Sequence, residues 1–490
     1  MISETELRSR QIASEIDAFA GRGIPAHAAA MIWRNVEFLG PMVEQAFGAA
    51  DLHSAYARTI AEAIARTGNP TVYSLGCGEG AEELTVLRRA DALGLPPFRI
   101  IGLELSPITG ARAMAAAAAA GMADRLVIEN CDLNTGLPGH APIGAVMAHH
   151  TLHHIVGLEG LFDSIATRLE DEGSFVTFDM IGRNGHRRWP EVMGLIRRLW
   201  PMLPADRQYD HIFARPMPRF QDWDCAIQGF EGVRAQDILR LIAERFDAAR
   251  FVAWGGLSET FLNYRTAPSF DPADATDRIF LSRIQQLESA LLEARCTTPT
   301  EMAAEFRPRR SRMRRDPLVR ARFLRAVRQP GEVFPSLEEV AFASPYPPQP
   351  DAVPPILPCG VPLGFAKGTP AAAALFEGFE QPDADGVWAL LDEQFLRLRT
   401  EPPAGRVTLT LWSFLPGSRS PGFTAQAAGC AMARSGPLDG PRLVELVLEG
   451  ASTSQWDIRI AADAYRLPDL EGGADIRPLA YRLVSLRADV

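Results

Sequence analysis

The chain has 490 residues, 47% of them hydrophobic and 22% charged, and a formal net charge of −10. That composition suits ordinary globular domains, two to four on length, and the acidic balance excludes a global cationic field for nucleic acid or membrane. Arginine carries nearly all the positive charge. Lys367 is the lone lysine, so a phosphate-loop lysine and any Schiff-base lysine before that position are excluded.

The N-terminus, MISETELRSRQIASEIDAF, lacks a basic region followed by an apolar core. No apolar run reaches the roughly 20 residues of a spanning helix. A cytoplasmic chain is expected. Cys77, Cys131, Cys225, Cys296, Cys359 and Cys430 form no CxxC pair. Reduced, mostly buried thiols are expected in place of a zinc knuckle or redox pair.

Residues 1–68 read as helices, with ETELRSRQIASEIDAFAGRG and DLHSAYARTIAEAIARTG each ending at glycine. From 69 to 302 short apolar runs alternate with helical segments: TVYSLGCG, RIIGLEL, RLVIENCDL, GAVMAHH and SFVTFDM. This pattern predicts a parallel sheet covered on both faces. RAQDILRLIAERF and ARFVAWGG extend it, and DRIFLSRIQQLESALLEAR predicts an amphipathic helix. Residues 303–354 read as a basic and proline-rich linker. Its arginine run, 307–328, is either a solvated linker or helix face, or a patch for an anionic lipid, a phosphate-bearing glycan or another chain. Residues 355–490 alternate apolar and polar positions between Gly, Pro and Asp clusters, which predicts an all-β sandwich of jelly-roll type.

The first chemical site is YSLGCGEG, where glycines at 76, 78 and 80 allow close backbone approach to a ligand. The next strand ends at Glu104, placed to accept hydrogen bonds from ribose hydroxyls. The third ends in ENCDL, where Asp132 can accept from an exocyclic adenine amine with Leu133 against the ring. The spacing is GxGxG, not the GxGxxG of nicotinamide domains. Together these elements resemble the class I S-adenosylmethionine-dependent methyltransferases over roughly residues 65–260. The resemblance implies a Rossmann-like α/β domain, with Gly76, Cys77 and Gly78 along the methionine part of the cofactor. It implies Glu104 at the ribose, Asp132 and Leu133 at the adenine, and His149 near the sulfonium.

AHHTLHHI (148–155) places His149/His153 and His150/His154 four apart. On a helix such pairs can bind metal, but no carboxylate has ligand spacing within the segment, and no metal ligand set is expected. The alternatives are a capping role or a general base, since histidine titrates near working pH. DMIGRNGHRRWPEV (179–192) follows the fifth strand and overhangs the edge where ligands bind in open α/β folds. The candidate bases are His186, His153 and Asp179, in that order. Arg183, Asn184, Arg188 and Trp189 are the candidate acceptor contacts, with Trp189 as a flat face for a sugar ring. The bland alternative is a turn with solvated arginines.

This stretch, DWDCAIQGFEGVRAQDIL (222–239) and TPTEM (298–302) resemble a bacterial methyltransferase subfamily found with glycan-assembly proteins. GFEQPDADGVWAL and GGADIRPLAYRLVSLRAD resemble an accessory β-sandwich of surface-polysaccharide enzymes. Trp388, Trp412 and Trp456 are either a sugar platform or core. The implied function is O-methylation of a sugar hydroxyl in surface-polysaccharide biosynthesis. The alternatives are a small-molecule methyltransferase and a non-catalytic glycan-binding scaffold. Partners are a glycan or other hydroxyl-bearing acceptor, with peripheral membrane or assembly contact through 307–328. Nucleic acid is not expected, because no DPPY-like or NPPY-like segment follows the fourth strand.

Overall fold

The computed structural model describes residues 28–349, 354–365, 369–377, 379, 386–389, 393–413, 422–435, 442–462 and 481–490. The helix expected at the extreme N-terminus and most of the segments 378–390 and 472–480 lie outside them. The chain forms two compact units. One takes residues up to Leu195, then Asp222–Asn263 and Asp271–Ala341; the other takes Ile196–Gln221, Tyr264–Phe270 and Phe342–Val490.

The first unit is built on seven strands: β1 (Val72–Leu75), β2 (Ile100–Glu104), β3 (Leu126–Asn130), β4 (Ile143–His149), β5 (Leu169–Met180), β6 (Phe246–Trp254) and β7 (Glu301–Pro308). Their order is β3-β2-β1-β4-β5-β7-β6. The first five are parallel, and β7 runs antiparallel between β5 and β6, with Phe175 opposite Phe306 and Asp179 opposite Met302. This is the Rossmann-like α/β fold that the resemblance implies, with the parallel strands expected from the alternating pattern. Strand residues alternate between faces. Tyr73, Leu75, Val146 and Ala148 enter one core, while Val72, Ala145 and Met147 enter the other.

Local chemistry sets the helix ends. Leu52–Thr67 starts at Asp51, whose carboxylate accepts the Ser54 amide at 2.9 Å, and stops at Gly68 in the left-handed region. Pro107–Ala119 starts at Ser106 with proline at its first position. The Tyr56 hydroxyl donates to the Ala148 carbonyl and accepts the Phe178 amide, both at 2.7 Å. It thereby ties its helix to β4 and β5.

The expected boundary at 302/303 is corrected: it falls inside β7, which is almost wholly buried. Arg307, the first arginine of the 307–328 run, serves a buried acid together with arginines from elsewhere in the chain. Glu305, fully buried in β7, accepts from Ser174 at 2.6 Å and Arg250 at 2.7 Å, and from Arg66 and Arg307 at 3.4 Å. Pro317–Ala326 is a helix, the helix-face alternative for this part of the run. Arg310 pairs with Asp171, Arg315 with Asp247 and Arg328 with Glu191. Part of the charge in 307–328 is thus paired within its own unit. Residues 196–221 and 264–270 group with the second unit, a further departure from a methyltransferase region running unbroken from 69 to 302.

The C-terminal region of the second unit is all-β, as expected, and its sheet is antiparallel apart from a short parallel pairing of Ile356–Pro358. Two long strands, Glu393–Ser413 and Arg442–Ala462, pair along most of their length, with register shifts near residues 399–406. Tyr481–Asp489 and Phe423–Ala427 flank them. Trp456 is buried core, which removes it from any sugar platform; Trp388 and Trp412 are half-buried, with ring centroids 6.2 Å apart. All six cysteines are free, but only Cys77 is fully buried, a correction to the expected burial. Among the described residues no helix is long and apolar enough to cross a membrane.

Removing one partner of a buried ion network leaves the others poorly compensated. Because its arginines are partly exposed, Glu305→Ala should cost about 3 kcal/mol, the low end for such a loss, read as a lower midpoint in urea unfolding.

Candidate active site

At the carboxyl end of β1 the chain turns through Gly76, Cys77 and Gly78. Gly76 (φ 57) passes so close to Thr151 that a Cβ there would lie 2.5 Å from Thr151 Cγ2. Gly78 (φ 52) is the opposite case: a Cβ would meet no protein atom within 4 Å, so the loop is open on that side. The Gly78 amide donates to Glu104 Oε2 at 2.9 Å and the Ser106 amide to Oε1 at 2.8 Å. These bonds hold the carboxylate at the rim of the loop. Cys77 is packed beneath, and burial pushes its thiol far above the usual range. It is therefore no nucleophile.

Asp132 Oδ1 accepts the Asn134 amide and side chain at 2.9 and 2.8 Å, capping the short turn Leu133–Thr135. Leu133 is buried in the core. His149 ends β4, with its ring 5.2 Å from Phe178 and 5.8 Å from Tyr56. Its Nε2 lies 3.8 Å from Glu82, which also meets His53 at 2.5 Å. Burial resists the charge on Glu82, but these histidines hold its carboxyl at about 2. Glu82 was not legible as a site residue, because its partners come from 29 and 67 positions away.

The second half of the site is a cluster on the ends of β4 and β5. Asp179 is fully buried. Its Oδ2 accepts the Thr151 and Leu152 amides at 2.9 and 2.8 Å. Its Oδ1 accepts the Met180 amide at 2.9 Å and meets His153 Nδ1 at 2.6 Å. A carboxylate engaged in this way cannot also take a substrate proton, so Asp179 is withdrawn as a base and becomes the group that orients His153. Burial penalises a charge on His153, but Asp179 and Glu231 outweigh it and raise its pKa. His153 is consequently a poor proton acceptor. The helical i,i+4 pairing is not realised, because His149 ends a strand and Leu152–His154 is a single 3-10 turn.

His186 lies beside His153, with ring centroids 4.9 Å apart. Its Nε2 meets Glu231 Oε1 at 2.7 Å. Burial lowers its pKa against the pull of Glu231, so the neutral ring is favoured. Its Nδ1 is shielded and has no hydrogen-bond partner among the described residues. Its backbone sits at φ 54, on a turn that needs two glycines. A Cβ on Gly185 would fall 1.8 Å from Asp224 Oδ1, and one on Gly232 would fall 3.0 Å from the His186 amide nitrogen. The Gly185 amide also donates to the Gly232 carbonyl at 2.9 Å, drawing the Glu231 segment against His186. Strain held by this many constraints is a common mark of functional segments. Glu231 is not marked out by the sequence, where its one local signal is the GFEG context ahead of a helix.

Two expected acceptor contacts are corrected. Arg188 is buried, donating to the His186 carbonyl at 2.8 Å and lying 3.7 Å from Glu259. Trp189 is also buried, and the Arg328 guanidinium stacks 3.9 Å from its ring centre. It offers no open face to a sugar. Arg183 donates to the Arg188 carbonyl at 3.2 Å, and Asn184 exchanges hydrogen bonds with Gln236. Both remain partly exposed on the loop.

No family model matches the chain, and no curated protein matches it. Among solved structures it is similar to geranyl diphosphate C-methyltransferase from Streptomyces coelicolor A3(2), in complex with Mg2+, geranyl diphosphate and S-adenosyl-L-homocysteine. The identity is 16%, covering 61% of this chain and 98% of that one, with a TM-score of 0.32. It is also similar to the O-methyltransferase of a trans-AT PKS multienzyme of Brevibacillus brevis in complex with S-adenosyl-L-homocysteine, at 14% identity, 59% and 82% coverage and a TM-score of 0.29. These likenesses are too distant to carry an activity across.

Behind the loop, burial and the neighbouring Glu301 push Glu259 up to about 8 despite Arg188. The folded chain therefore holds a proton there that the unfolded chain releases near pH 4.5, and stability should fall as pH rises from about 4.5 to about 8. Glu259→Gln should flatten that fall in urea titrations across the same pH range.

Proposed function

We propose that the protein is an S-adenosylmethionine-dependent methyltransferase acting on a hydroxyl-bearing acceptor. The observation that carries this reading is the joint between Gly78 and Glu104. A glycine loop that is open on one side holds a carboxylate at its rim, at the carboxyl edge of a β3-β2-β1-β4-β5 parallel sheet. Dinucleotide and nucleoside ligands sit at that edge.

The residues present fit the cofactor. Gly78 leaves space where a side chain would intrude. In this reading Glu104 holds the ribose hydroxyls, Asp132 takes the adenine amine, and His149 lines the approach between them and the cluster. When bound, the cofactor supplies an electrophilic methyl group on a sulfonium whose departure leaves a neutral thioether.

The protein's work is then to align the acceptor oxygen and dispose of its proton. Thr151 links the two halves of the site. Its hydroxyl donates to the Leu75 carbonyl at 2.9 Å, and its amide donates to Asp179. The cluster thus lies at the same sheet edge, next to the glycine loop. Within it, the His186–Glu231 pair handles the proton, since Asp179 is fully engaged and His153 is held charged. Glu231 is the most exposed member, at 40% of its side chain.

A sugar hydroxyl in surface polysaccharide or its lipid-linked precursor is the acceptor we favour. The resemblance of the 179–192 and 222–239 segments supports it, and so does an appended all-β unit. Arg183 and Asn184 are the remaining loop contacts for that acceptor. The burial of Trp189 removes the stacking argument and leaves a small-molecule hydroxyl as the second reading.

Calorimetry with S-adenosylmethionine should show one site per chain, weakened about 10–100-fold in Glu104→Ala, the cost of charge-assisted hydrogen bonds. No binding by the folded wild-type chain would reject the reading. His186→Ala should lower methyl transfer to glycan acceptors about 100-fold or more while leaving cofactor affinity unchanged. Unaltered turnover would remove the pair from the chemistry.

A further inference from the structure

We infer that His153, His186 and Glu231 form a binding site for a first-row divalent metal ion of the zinc type, with His154 beside it and one coordination position left open. One ligand atom from each of the first three lies within 4.8 Å of the others. Glu231 Oε1 is 2.7 Å from His186 Nε2 and 3.4 Å from His153 Nε2, and Glu231 Oε2 is 3.6 Å from His154 Nε2. A tetrahedral ion with bonds of about 2.0–2.1 Å spaces its donors about 3.3 Å apart. Small side-chain movements reach that spacing.

Three further features favour an ion at this cluster. His153 Nδ1 is held by Asp179, which turns Nε2 toward the cluster, and this is how proteins orient a metal-ligating imidazole. Two buried or part-buried carboxylates, Asp179 and Glu231, are balanced by one divalent ion with every ring neutral. The donors are also turned on one another at ligand-like spacing, with His186 Nε2 facing Glu231 Oε1 at 2.7 Å.

Imidazole and carboxylate donors prefer zinc, cobalt or ferrous ions over magnesium or calcium. Three protein ligands with an open position are the arrangement of catalytic ions, not structural ones. The ion's existence is independent of methyl transfer. Its role, lowering the pKa of a bound acceptor hydroxyl, rests on the reading above.

The test uses the full chain without a polyhistidine tag. Elemental analysis after dialysis against Zn2+ should show one ion per chain. Co2+ in its place should give the intense visible absorption of a tetrahedral site. His186→Ala and Glu231→Gln should each weaken Co2+ binding at least about 100-fold, and Asp179→Asn about 10–100-fold. Circular dichroism and cofactor calorimetry on the same samples check that each variant is folded. Folded wild type without stoichiometric Zn2+ or Co2+, binding that survives Glu231→Gln and His186→Ala, or displacement by excess Mg2+ would each overturn the assignment. If the cofactor binds and Zn2+ does not, the metal inference fails alone. If Zn2+ binds and the cofactor does not, the methyltransferase reading fails and the metal site stands.

Discussion

One buried carboxylate holds this site together. Asp179 sits at the end of β5 with no exposed surface and takes hydrogen bonds from three backbone amides and one imidazole. An unpaired carboxylate in that position would be prohibitively costly. Satisfying it therefore dictates the path of the chain after β4, which must bend so that the Thr151 and Leu152 amides point inward. That bend brings Thr151 against Gly76 and turns His153 toward Glu231. The glycine loop and the histidine cluster are coupled through one side chain.

The loop after β5 is the second constraint. Its length and charge suggested an acceptor-binding lid, but several of its polar groups are structural. Arg188 is tied to the backbone of His186, and Trp189 is pinned beneath Arg328, itself bound to Glu191. A loop anchored by this much buried contact places His186 with precision, and it does so at the cost of a left-handed backbone. The glycines at 185 and 232 let two chain segments approach closely enough for His186 and Glu231 to meet.

The arginine run after β7 shows the same economy. A string of cations after an apolar strand suggests a solvated tether or an anionic surface ligand. Here the buried Glu305 draws arginines from two strands and a helix, and acids along the rim take others. Part of the charge that would have advertised a partner is spent inside its own unit.

The amino-acid sequence alone determined the alternation of strand and helix, the glycine loop, the strand-end acids Glu104 and Asp132, and the all-β character of the C-terminal part. Each of these depends on spacing along a few neighbouring residues, which hydrophobic periodicity and turn chemistry make legible. It also located His153, Asp179 and His186 at one sheet edge, because the ends of parallel strands are legible too. Only the tertiary structure decided that Asp179 is an anchor, that Arg188 and Trp189 are buried, and that Glu231 completes the cluster. Those facts depend on Glu259, Arg328 and Gly232, which meet the site from distant parts of the chain. Burial and pairing are properties of the neighbours a side chain finds in space, and no local pattern specifies them.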